Sequence, residues 1–412
     1  MSEGSLVMLL FCFCIILVQC ALLFMLRRAG GRLQGRAEGE RIACDRLPEH
    51  AWPRIAVIVP ASGADPRMDN ALASLLAQDY PDFIPVLVTA GADEPAALLA
   101  RKLQHDFPRL RYVTAGPAEG CGQKNHNSLQ GVGAVAGDDV AIYVFCDSTH
   151  CAAPDFLRCL VFPIVSGQAE CSTGYHSVEP RDSRPLTLAY AVSVLLMRLL
   201  QAVSAFTQPW GGAMAVRKEA FAGYAVADLW AHAVVDDCSL AALLRREHVP
   251  VALSAAALLR TVARNHAFSV WHAWMERQVL FLKFCMPDQW LLLGSLVVIM
   301  GLPPLCALFA VVTGLLGWGG GGFLALSLLW LCLLTLALGP LRKFLSAPVD
   351  MARWLAAFLC ASGVFAHVYL KSLFAREIAW GDFVYAVGKG GRVLSVRPRM
   401  RQGRFDTMPG CG

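Results

Sequence analysis

Short apolar runs alternate with amphipathic segments between about residues 46 and 264. Runs rich in β-branched and aromatic residues predict four strands, at Ile55–Pro60, Phe83–Thr89, Arg111–Thr114 and Val140–Cys146. Apolar residues at helical spacing predict helices at Asp69–Gln78 and Glu94–Phe107. Strands that alternate with helices predict a mostly parallel α/β sheet, in which ligands bind at the carboxyl ends of the strands.

Much longer apolar segments lie on both sides of this α/β part. Leu6–Leu26 is apolar apart from Gln19 and is long enough to span a bilayer. Glu3 precedes it and several arginines follow it, so we interpret it as a retained anchor with its basic end in the cytoplasm, not a cleaved signal peptide. Three further candidate spans follow, at Trp290–Leu316, Phe323–Leu338 and Trp354–Leu370.

These patterns predict an anchor at 1–27, a cytosolic domain at 46–285, C-terminal transmembrane helices at 288–375 and a basic tail at 376–412. Residues 186–206 are also apolar, but they separate two segments that carry candidate chemistry. We interpret them as a helix in the membrane interface, or buried against the domain, with Arg198 extending to water. Four spans would place the C-terminus outside, whereas the basic tail favours inside. A re-entrant C-terminal segment would reconcile the two.

Composition excludes several classes of protein. The chain is 56% hydrophobic, and its mean hydropathy of +0.50 is too high for an ordinary soluble enzyme. Its 15 cysteines include no CxxC pair, which is typical of small buried apolar residues in a reducing compartment and not of disulfides or zinc ligands. The net charge of +5 is mild and lies largely beside membrane segments, so it indicates topology and anionic lipid, not nucleic acid.

Polar side chains follow the predicted strands. Asp93 and Glu94 come after the second strand, and Asp147 ends the fourth. A carboxylate at the end of a buried strand is costly unless something pairs with it. Such a group can hold Mg²⁺ or Mn²⁺ against a diphosphate, and the cation then stabilises the leaving group. Lys124 and Asn125 lie between these two acidic positions.

Two further segments suggest catalytic chemistry. The run QPWGGAMAVRKEAF contains Gly211 and Gly212, which would let the backbone approach a substrate closely. Asp236 and Asp237 open a helical pattern, and a carboxylate there can take a proton from a hydroxyl. Structural alternatives stay open, because Asp caps helices and turns and Glu94 suits a first helical turn.

The order D/E, K-N, C-D-S, GGxMxxRK, D-D resembles the family 2 glycosyltransferases with a GT-A fold. It resembles most the ceramide glucosyltransferase group and its bacterial relatives, over nearly the whole chain. The resemblance implies an α/β GT-A catalytic domain between an N-terminal anchor and C-terminal membrane helices. In this chain Thr149 replaces the second Asp of the family's DxD motif, and Gln278 stands where its QxxRW motif has Trp.

The resemblance also implies a role for each matching residue. Asp147 would bind Mg²⁺ or Mn²⁺, and Asp237 would be the catalytic base, preceded by Asp236. Contacts to the nucleotide sugar and its acceptor are implied for Asp93, Glu94, Lys124, Asn125, Trp210, Gly211, Gly212, Arg277 and Gln278.

The resulting prediction is a membrane-bound inverting glycosyltransferase. It would transfer a hexose, with UDP-glucose as the expected donor, to a lipid acceptor at the cytoplasmic face of an inner or plasma membrane. One alternative is a processive polysaccharide synthase on the same fold. Another is a catalytically decayed membrane scaffold, which Thr149 and Gln278 favour and the intact set of Asp93, Asp147 and Asp237 disfavours.

Overall fold

A mixed seven-stranded sheet lies at the centre of the computed structural model, which describes residues 3–316 and 321–399. Its strand order is β3-β2-β1-β4-β6-β5-β7. The strands are β1 Ile55–Pro60, β2 Phe83–Thr89, β3 Arg111–Thr114, β4 Ile142–Cys146, β5 Cys171–Pro180, β6 Ala213–Arg217 and β7 Val251–Ala263. Neighbouring strands are parallel except where β6 pairs antiparallel with β4 and β5.

Helices cover both faces of this sheet. Those of the central part are α2 Met68–Leu76, α3 Pro95–Asp106, α4 Gln123–Gly133, α5 Phe156–Val165, α6 Pro185–Gln201, α7 Lys218–Gly223, α8 Val226–Trp230, α9 Asp236–Arg246 and α10 Phe268–Cys285. On one face Leu75, Leu103 and Phe156 pack against the sheet, and on the other face Phe221, Trp230 and Leu240 do so. The apolar spacing along each helix explains this burial, because residues three or four apart share one face.

The strand predictions agree closely with the structure. The first three predicted strands have the observed bounds, and the fourth begins two residues later than predicted, at Ile142, after a turn in which Val140 donates its N–H to the Asp138 carbonyl. Asp147 directly follows β4, and Asp93 lies in the loop after β2. Both carboxylates are therefore at the carboxyl edge of the sheet, as expected for parallel strands.

The first helix, α1 Glu3–Arg46, is 44 residues long and continues well past the predicted end of the anchor. Its later turns lie against β7, where Glu40 Oε2 accepts hydrogen bonds from Ser254 Oγ at 3.1 Å and from the Ala256 N–H at 3.0 Å. One continuous helix thus joins the apolar N-terminal segment to the edge of the sheet.

Three further long apolar helices follow the domain, namely α11 Pro287–Leu315, α12 Gly321–Leu338 and α13 Met351–Phe374. In the described part of the chain, these and α1 are the four helices long and apolar enough to cross a membrane. α1, α11 and α12 pack together around Gln19, which is fully buried. Gln19 Oε1 accepts a hydrogen bond of 2.8 Å from Trp330 Nε1, and its Nε2 lies 3.6 Å from Met300 Sδ.

The apolar segment predicted at 186–206 forms α6, which ends at Gln201. Most of its residues are buried, because it packs against β5 on one side and α13 on another. It is too short to belong to the candidate spans. The structure therefore agrees with the alternative in which this helix is buried against the domain.

A small antiparallel sheet follows α13, with strands β8 Glu377–Trp380, β9 Phe383–Val387 and β10 Val393–Pro398. Ile378, Tyr385 and Val393 pack against α9 and α10. This segment is predicted above only as the start of a basic tail. Its alternating apolar residues predict strands, and the glycines between them predict turns. Residues 400–412 of the predicted tail lie outside the described residues.

We expect Gln19→Leu to weaken the packing of α1, α11 and α12. The substitution removes the only acceptor of the Trp330 indole N–H within the described residues, and hydrogen bonds between membrane helices contribute about 0.6 kcal/mol, reaching about 1–2 kcal/mol in some cases. Thermal unfolding of the detergent-solubilised protein would measure the loss. Leu10→Ala, at an exposed position of the same helix, is the control, and equal effects of both substitutions would contradict the proposed role of Gln19.

Candidate active site

The Asp147 carboxylate lies at the end of β4 and is partly exposed. Its backbone N–H donates to the Gly212 carbonyl at 3.2 Å, which ties the end of β4 to the segment before β6. Asp147 Oδ1 lies 2.8 Å from Lys124 Nζ, so an ammonium group already compensates the carboxylate. This ion pair offsets the free-energy cost of burying a carboxylate at the end of a strand.

Asp236 and Asp237 are the first two residues of α9. The loop before them is held by Asn125, whose side-chain amide donates to the carbonyls of Trp230 and Ala233 at 3.4 and 3.0 Å. The Asn125 side chain is fully buried, so its amide positions the acidic pair. A direct contact of Asn125 with a nucleotide sugar stays a prediction.

Lys124 connects the two acidic segments. Its Nζ lies 2.8 Å from Asp147 Oδ1 and 3.0 Å from Asp236 Oδ2, and it donates to the Gly211 carbonyl at 2.9 Å. Asp236 is 1% exposed, and neither of its carboxylate oxygens accepts a hydrogen bond of good geometry. The contact between Lys124 and Asp236 is therefore an ion pair held by charge.

Burial and charge oppose each other in this cluster. Burial alone would raise the pKa of Asp147, but Lys124 and then His150 outweigh it and hold that pKa well below its usual range. Burial alone would lower the pKa of Lys124, but Asp147, Asp236 and Asp237 together raise it. Asp147 is therefore ionised and Lys124 protonated at neutral pH.

Asp237 behaves differently from Asp147. Burial first, and then the neighbouring charge of Asp236, raise the pKa of Asp237 to about 6. Its Oδ2 accepts the Gly211 N–H at 3.0 Å and its Oδ1 accepts the Cys238 N–H at 2.6 Å. A carboxylate that is held in place and titrates near neutrality has the properties of a general base.

The segment Trp210–Gly212 lies between these groups. A Cβ atom on Gly211 would lie 2.7 Å from Lys124 Nζ and 2.8 Å from Asp236 Oδ2. On Gly212, a Cβ would lie 2.3 Å from the Trp210 ring. Both glycines are thus required for close approach of the backbone, beyond any role in a turn.

Trp210, a predicted site residue, belongs to an aromatic cluster beside Asp147 whose other members the motifs do not predict. Trp210 stacks on His176 with ring centroids 4.8 Å apart. The Thr261 hydroxyl lies 2.7 Å from Nδ1 of both His150 and His176, and His150 Nε2 lies 3.7 Å from Asp147 Oδ2. Of these residues, only Trp210 and His150 stand near a recognised motif.

Asp93 and Glu94 lie in the loop after β2. Glu94 Oε1 accepts the Gly91 N–H at 2.7 Å and so holds the turn before α3. Asp93 is exposed. The predicted contacts of both residues with the nucleotide stay predictions.

Arg277 and Gln278 lie on α10. Arg277 Nη1 donates to the Ala273 carbonyl one turn earlier on the same helix. Among the described residues, neither side chain contacts the carboxylates of Asp147, Asp236 or Asp237. Their predicted part in substrate binding stays a prediction.

The C-terminal sheet packs on the loop that carries the acidic pair. The Val234 N–H donates to the Gly391 carbonyl at 2.9 Å, and the Val393 N–H donates to the His232 carbonyl at 2.8 Å. Tyr385 Oη accepts the N–H of Gln123, the first residue of α4, at 3.3 Å. The sheet thus supports both segments that meet at Lys124 and Asp236.

The donor set fits a divalent cation of the predicted kind. Mg²⁺ and Mn²⁺ prefer oxygen ligands and often bind through one or two carboxylates together with phosphate oxygens. Across residues 3–316 and 321–399, no group of three or more His, Cys, Asp or Glu side chains is arranged to hold a metal by itself. The partly exposed Asp147 carboxylate fits a cation that also binds a diphosphate.

Comparison with known proteins gives one family and many structural neighbours. The sequence pattern of Glycosyl transferase family 21 matches residues 10–393. One solved structure that resembles the chain is the mannosyltransferase PcManGT from Pyrobaculum calidifontis in complex with GDP-Man and Mn²⁺. It is 15% identical, its TM-score is 0.45, and the match covers 85% of this chain and 99% of that chain.

We expect Lys124→Met to destabilise the fold strongly. It leaves Asp147 and Asp236 without their ammonium partner, and breaking a buried ion pair by removing one partner costs about 3–5 kcal/mol. Adding Asp236→Asn to Lys124→Met should recover part of the loss, because one uncompensated charge disappears. Chemical or thermal unfolding measures both effects.

The matched control for Lys124→Met is Lys102→Met, which breaks an exposed ion pair with Asp69. Exposed pairs contribute only about 0–1 kcal/mol. Equal destabilisation by the two substitutions would contradict a central role for Lys124.

We expect Gly391→Ala to loosen the C-terminal sheet from the loop before Asp236. The new Cβ would lie 2.5 Å from Cys285 Sγ, and the backbone φ of +77° adds strain. Gly390→Ala is the control, because its φ of +73° is similar but no atom lies within 4 Å of its Cβ. Faster trypsin cleavage at Arg392 in the Gly391 variant alone would support this role, and equal rates would contradict it.

Proposed function

The chain belongs to glycosyl transferase family 21, and from this premise we propose that it transfers a hexose from a nucleotide diphosphate sugar to a membrane lipid. The family match confirms the predicted resemblance to the ceramide glucosyltransferase group, and with the mixed sheet it confirms an α/β GT-A domain that has apolar helices before and after it in the chain. The chain is therefore a glycosyltransferase. UDP-glucose is the donor that we propose.

The observation that carries the proposal is the cluster formed by Asp147, Lys124, Asp236 and Asp237. It joins an ionised carboxylate at the sheet edge, a protonated lysine, and a carboxylate whose pKa is raised to about 6. This one cluster can therefore bind a cation and the anionic donor, and it can also supply the catalytic base. A scaffold with a decayed site has no need to keep such a costly group of buried charges.

Asp237 acts as the base in the reaction that we propose. The acceptor hydroxyl oxygen attacks the anomeric carbon, and Asp237 takes the hydroxyl proton as that bond forms. The bond from the anomeric carbon to the diphosphate oxygen breaks on the opposite face, and the nucleoside diphosphate leaves with the electron pair. The configuration at the anomeric carbon is therefore inverted.

Asp147 and Lys124 serve the donor. Asp147 would hold Mg²⁺ or Mn²⁺, which, when bound, neutralises charge on the leaving diphosphate. Lys124 adds a positive charge beside the same carboxylate. Asp236 holds the ammonium from the other side and raises the pKa of its neighbour Asp237.

The surroundings of the site support a lipid acceptor. Trp210 directly precedes Gly211, whose backbone is hydrogen bonded to Lys124 and Asp237. The Trp210 side chain packs both against the sheet core and against the apolar cluster that α1, α6, α12 and α13 share. The reacting groups are therefore close to the helices that contact the membrane. We propose that the catalytic domain lies on the cytoplasmic side, which the arginines after Leu26 support.

The first experiment is a transfer assay. Membranes that contain the protein are incubated with radiolabelled UDP-glucose and Mg²⁺ or Mn²⁺, and the products are partitioned between organic solvent and water. Label in the organic phase, lost in Asp237→Asn, supports the proposal. Label in a water-soluble or insoluble polymer would favour a polysaccharide synthase, and no transfer from any common nucleotide sugar would favour the scaffold.

Binding tests the role of Asp147 separately from turnover. We expect Asp147→Ala to abolish the metal-dependent part of UDP binding, measured by calorimetry with and without Mn²⁺. Asp237→Asn should bind UDP as the wild type does, because in the proposed reaction Asp237 acts on the acceptor hydroxyl and not on the donor. Unchanged metal-dependent binding in Asp147→Ala would refute the metal assignment.

We expect kcat/KM to fall as the pH falls through about 6. Below this pH Asp237 becomes protonated and can no longer accept the proton of the acceptor. Asp236→Asn removes the neighbouring negative charge, so the pKa of Asp237 decreases and the acid limb moves to lower pH. The pH–rate profiles of the two proteins check this, and coincident acid limbs would exclude Asp236 as a determinant of the base.

A further inference from the structure

Both ends of α13 lie next to the ends of the two helices that precede it. At its start, Trp354 Nε1 donates to the carbonyl of Leu338, the last residue of α12, at 3.0 Å. At its end, Ser372 Oγ accepts a hydrogen bond of 3.1 Å from Nε1 of Trp290, which lies in the first turn of α11. α13 therefore runs from the end of α12 to the start of α11.

These two helix ends belong to one side of the bilayer. α11 and α12 are consecutive, pack against each other and are joined by only a few residues, so they are antiparallel. The start of α11 and the end of α12 then lie at the same membrane face. A helix that runs from one to the other lies across that face and does not cross the bilayer.

The elements around α13 are those of the catalytic domain. Before it, Ser346 Oγ donates to the carbonyl of Val178 in β5 at 3.2 Å. After it, Lys283 Nζ at the end of α10 donates to the Ala375 carbonyl at 2.8 Å. In its middle α13 packs along α6 and α10. The segments before and after the helix thus both contact the domain.

The C-terminal sheet gives an independent argument. It follows α13 directly, yet it is hydrogen bonded to the loop His232–Val234 beside the candidate active site. A crossing by α13 would place this sheet on the far side of the membrane from that loop. The contacts therefore require both ends of α13 on the catalytic side.

The residues of α13 suit a position at the membrane surface. It is the least apolar and the most buried of the four candidate spans. Leu370 and Phe374, in its last two turns, are 57% and 85% exposed, although both are large and apolar. Basic residues occur near both ends of α13, as is common on the cytoplasmic side of a membrane: Arg342, Lys343 and Arg353 near its start and Lys371 near its end.

We propose that α13 lies in the headgroup region of the bilayer on the catalytic side, with Leu370 and Phe374 among the lipid chains. The chain then crosses the membrane three times, by α1, α11 and α12, and its C-terminus is on the side of the catalytic domain. This arrangement reconciles the basic tail with the long apolar helices. It does not depend on the reaction proposed above.

Reporter fusions to the full-length chain test the topology. In a bacterial host, a fluorescent protein that matures only in the cytoplasm and an alkaline phosphatase that is active only outside are each fused after Gly412. We expect fluorescence and no phosphatase activity. The same reporters inserted between α11 and α12 are the control and should give the reverse result. Phosphatase activity at the C-terminus, with the control intact, would overturn the proposal.

Photocrosslinking tests the contact with lipid. A photoreactive amino acid replaces Phe374 in the full chain in native membranes. The matched control carries the same photoreactive amino acid in place of Leu98 of α3, because Leu98 is 60% exposed but remote from the spans. We expect a lipid adduct at position 374 and none at 98. A cytoplasmic C-terminus without a lipid adduct at 374 would overturn the placement of α13 in the bilayer surface.

Discussion

The ammonium group of Lys124 is the interaction on which the candidate site depends. It lies between a carboxylate at the end of β4 and another at the start of α9, and it also bonds the Gly211 carbonyl. Three segments that are distant in sequence thus meet at one cation. Removing charges from water costs several kcal/mol per ion, so these segments converge only because opposite charges converge with them. The same arrangement lowers the pKa of the Asp147 carboxylate and raises that of the Asp237 carboxylate.

The parts of the fold that the sequence predicts are those set by local pattern. A run such as IAVIVP has few alternatives to a buried strand, and the acidic residue that ends a strand lies at the sheet edge in any parallel arrangement. The antiparallel insertion of β6 between β4 and β5 depends on pairing between segments far apart in the chain, which no local pattern determines. The extension of α1 to Arg46 is likewise stabilised by β7, more than two hundred residues later.

The candidate site shows the same division at the level of side chains. Motif order indicates that Lys124 and Asn125 belong to the site, but it does not show that the Asn125 amide is engaged by two loop carbonyls. No other histidine lies near His150 in the sequence, and only the folded chain shows that its ring is 3.7 Å from the Asp147 carboxylate. A sequence reveals which groups are present. Which of them remain free to bind a substrate depends on partners that only the tertiary structure supplies.

The unbroken first helix has a mechanical consequence for the whole molecule. Its 44 residues correspond to about 66 Å at 1.5 Å per residue, about twice the thickness of the hydrocarbon core of a bilayer. The later half of the helix is hydrogen bonded to β7 through Arg36 and Glu40. When α1 spans the bilayer as we propose, the domain can tilt or rise only if this helix moves with it or bends. The proposed reacting groups then lie at a height above the lipid surface that α1 sets, and the proposed lipid acceptor must extend its hydroxyl to that height to react.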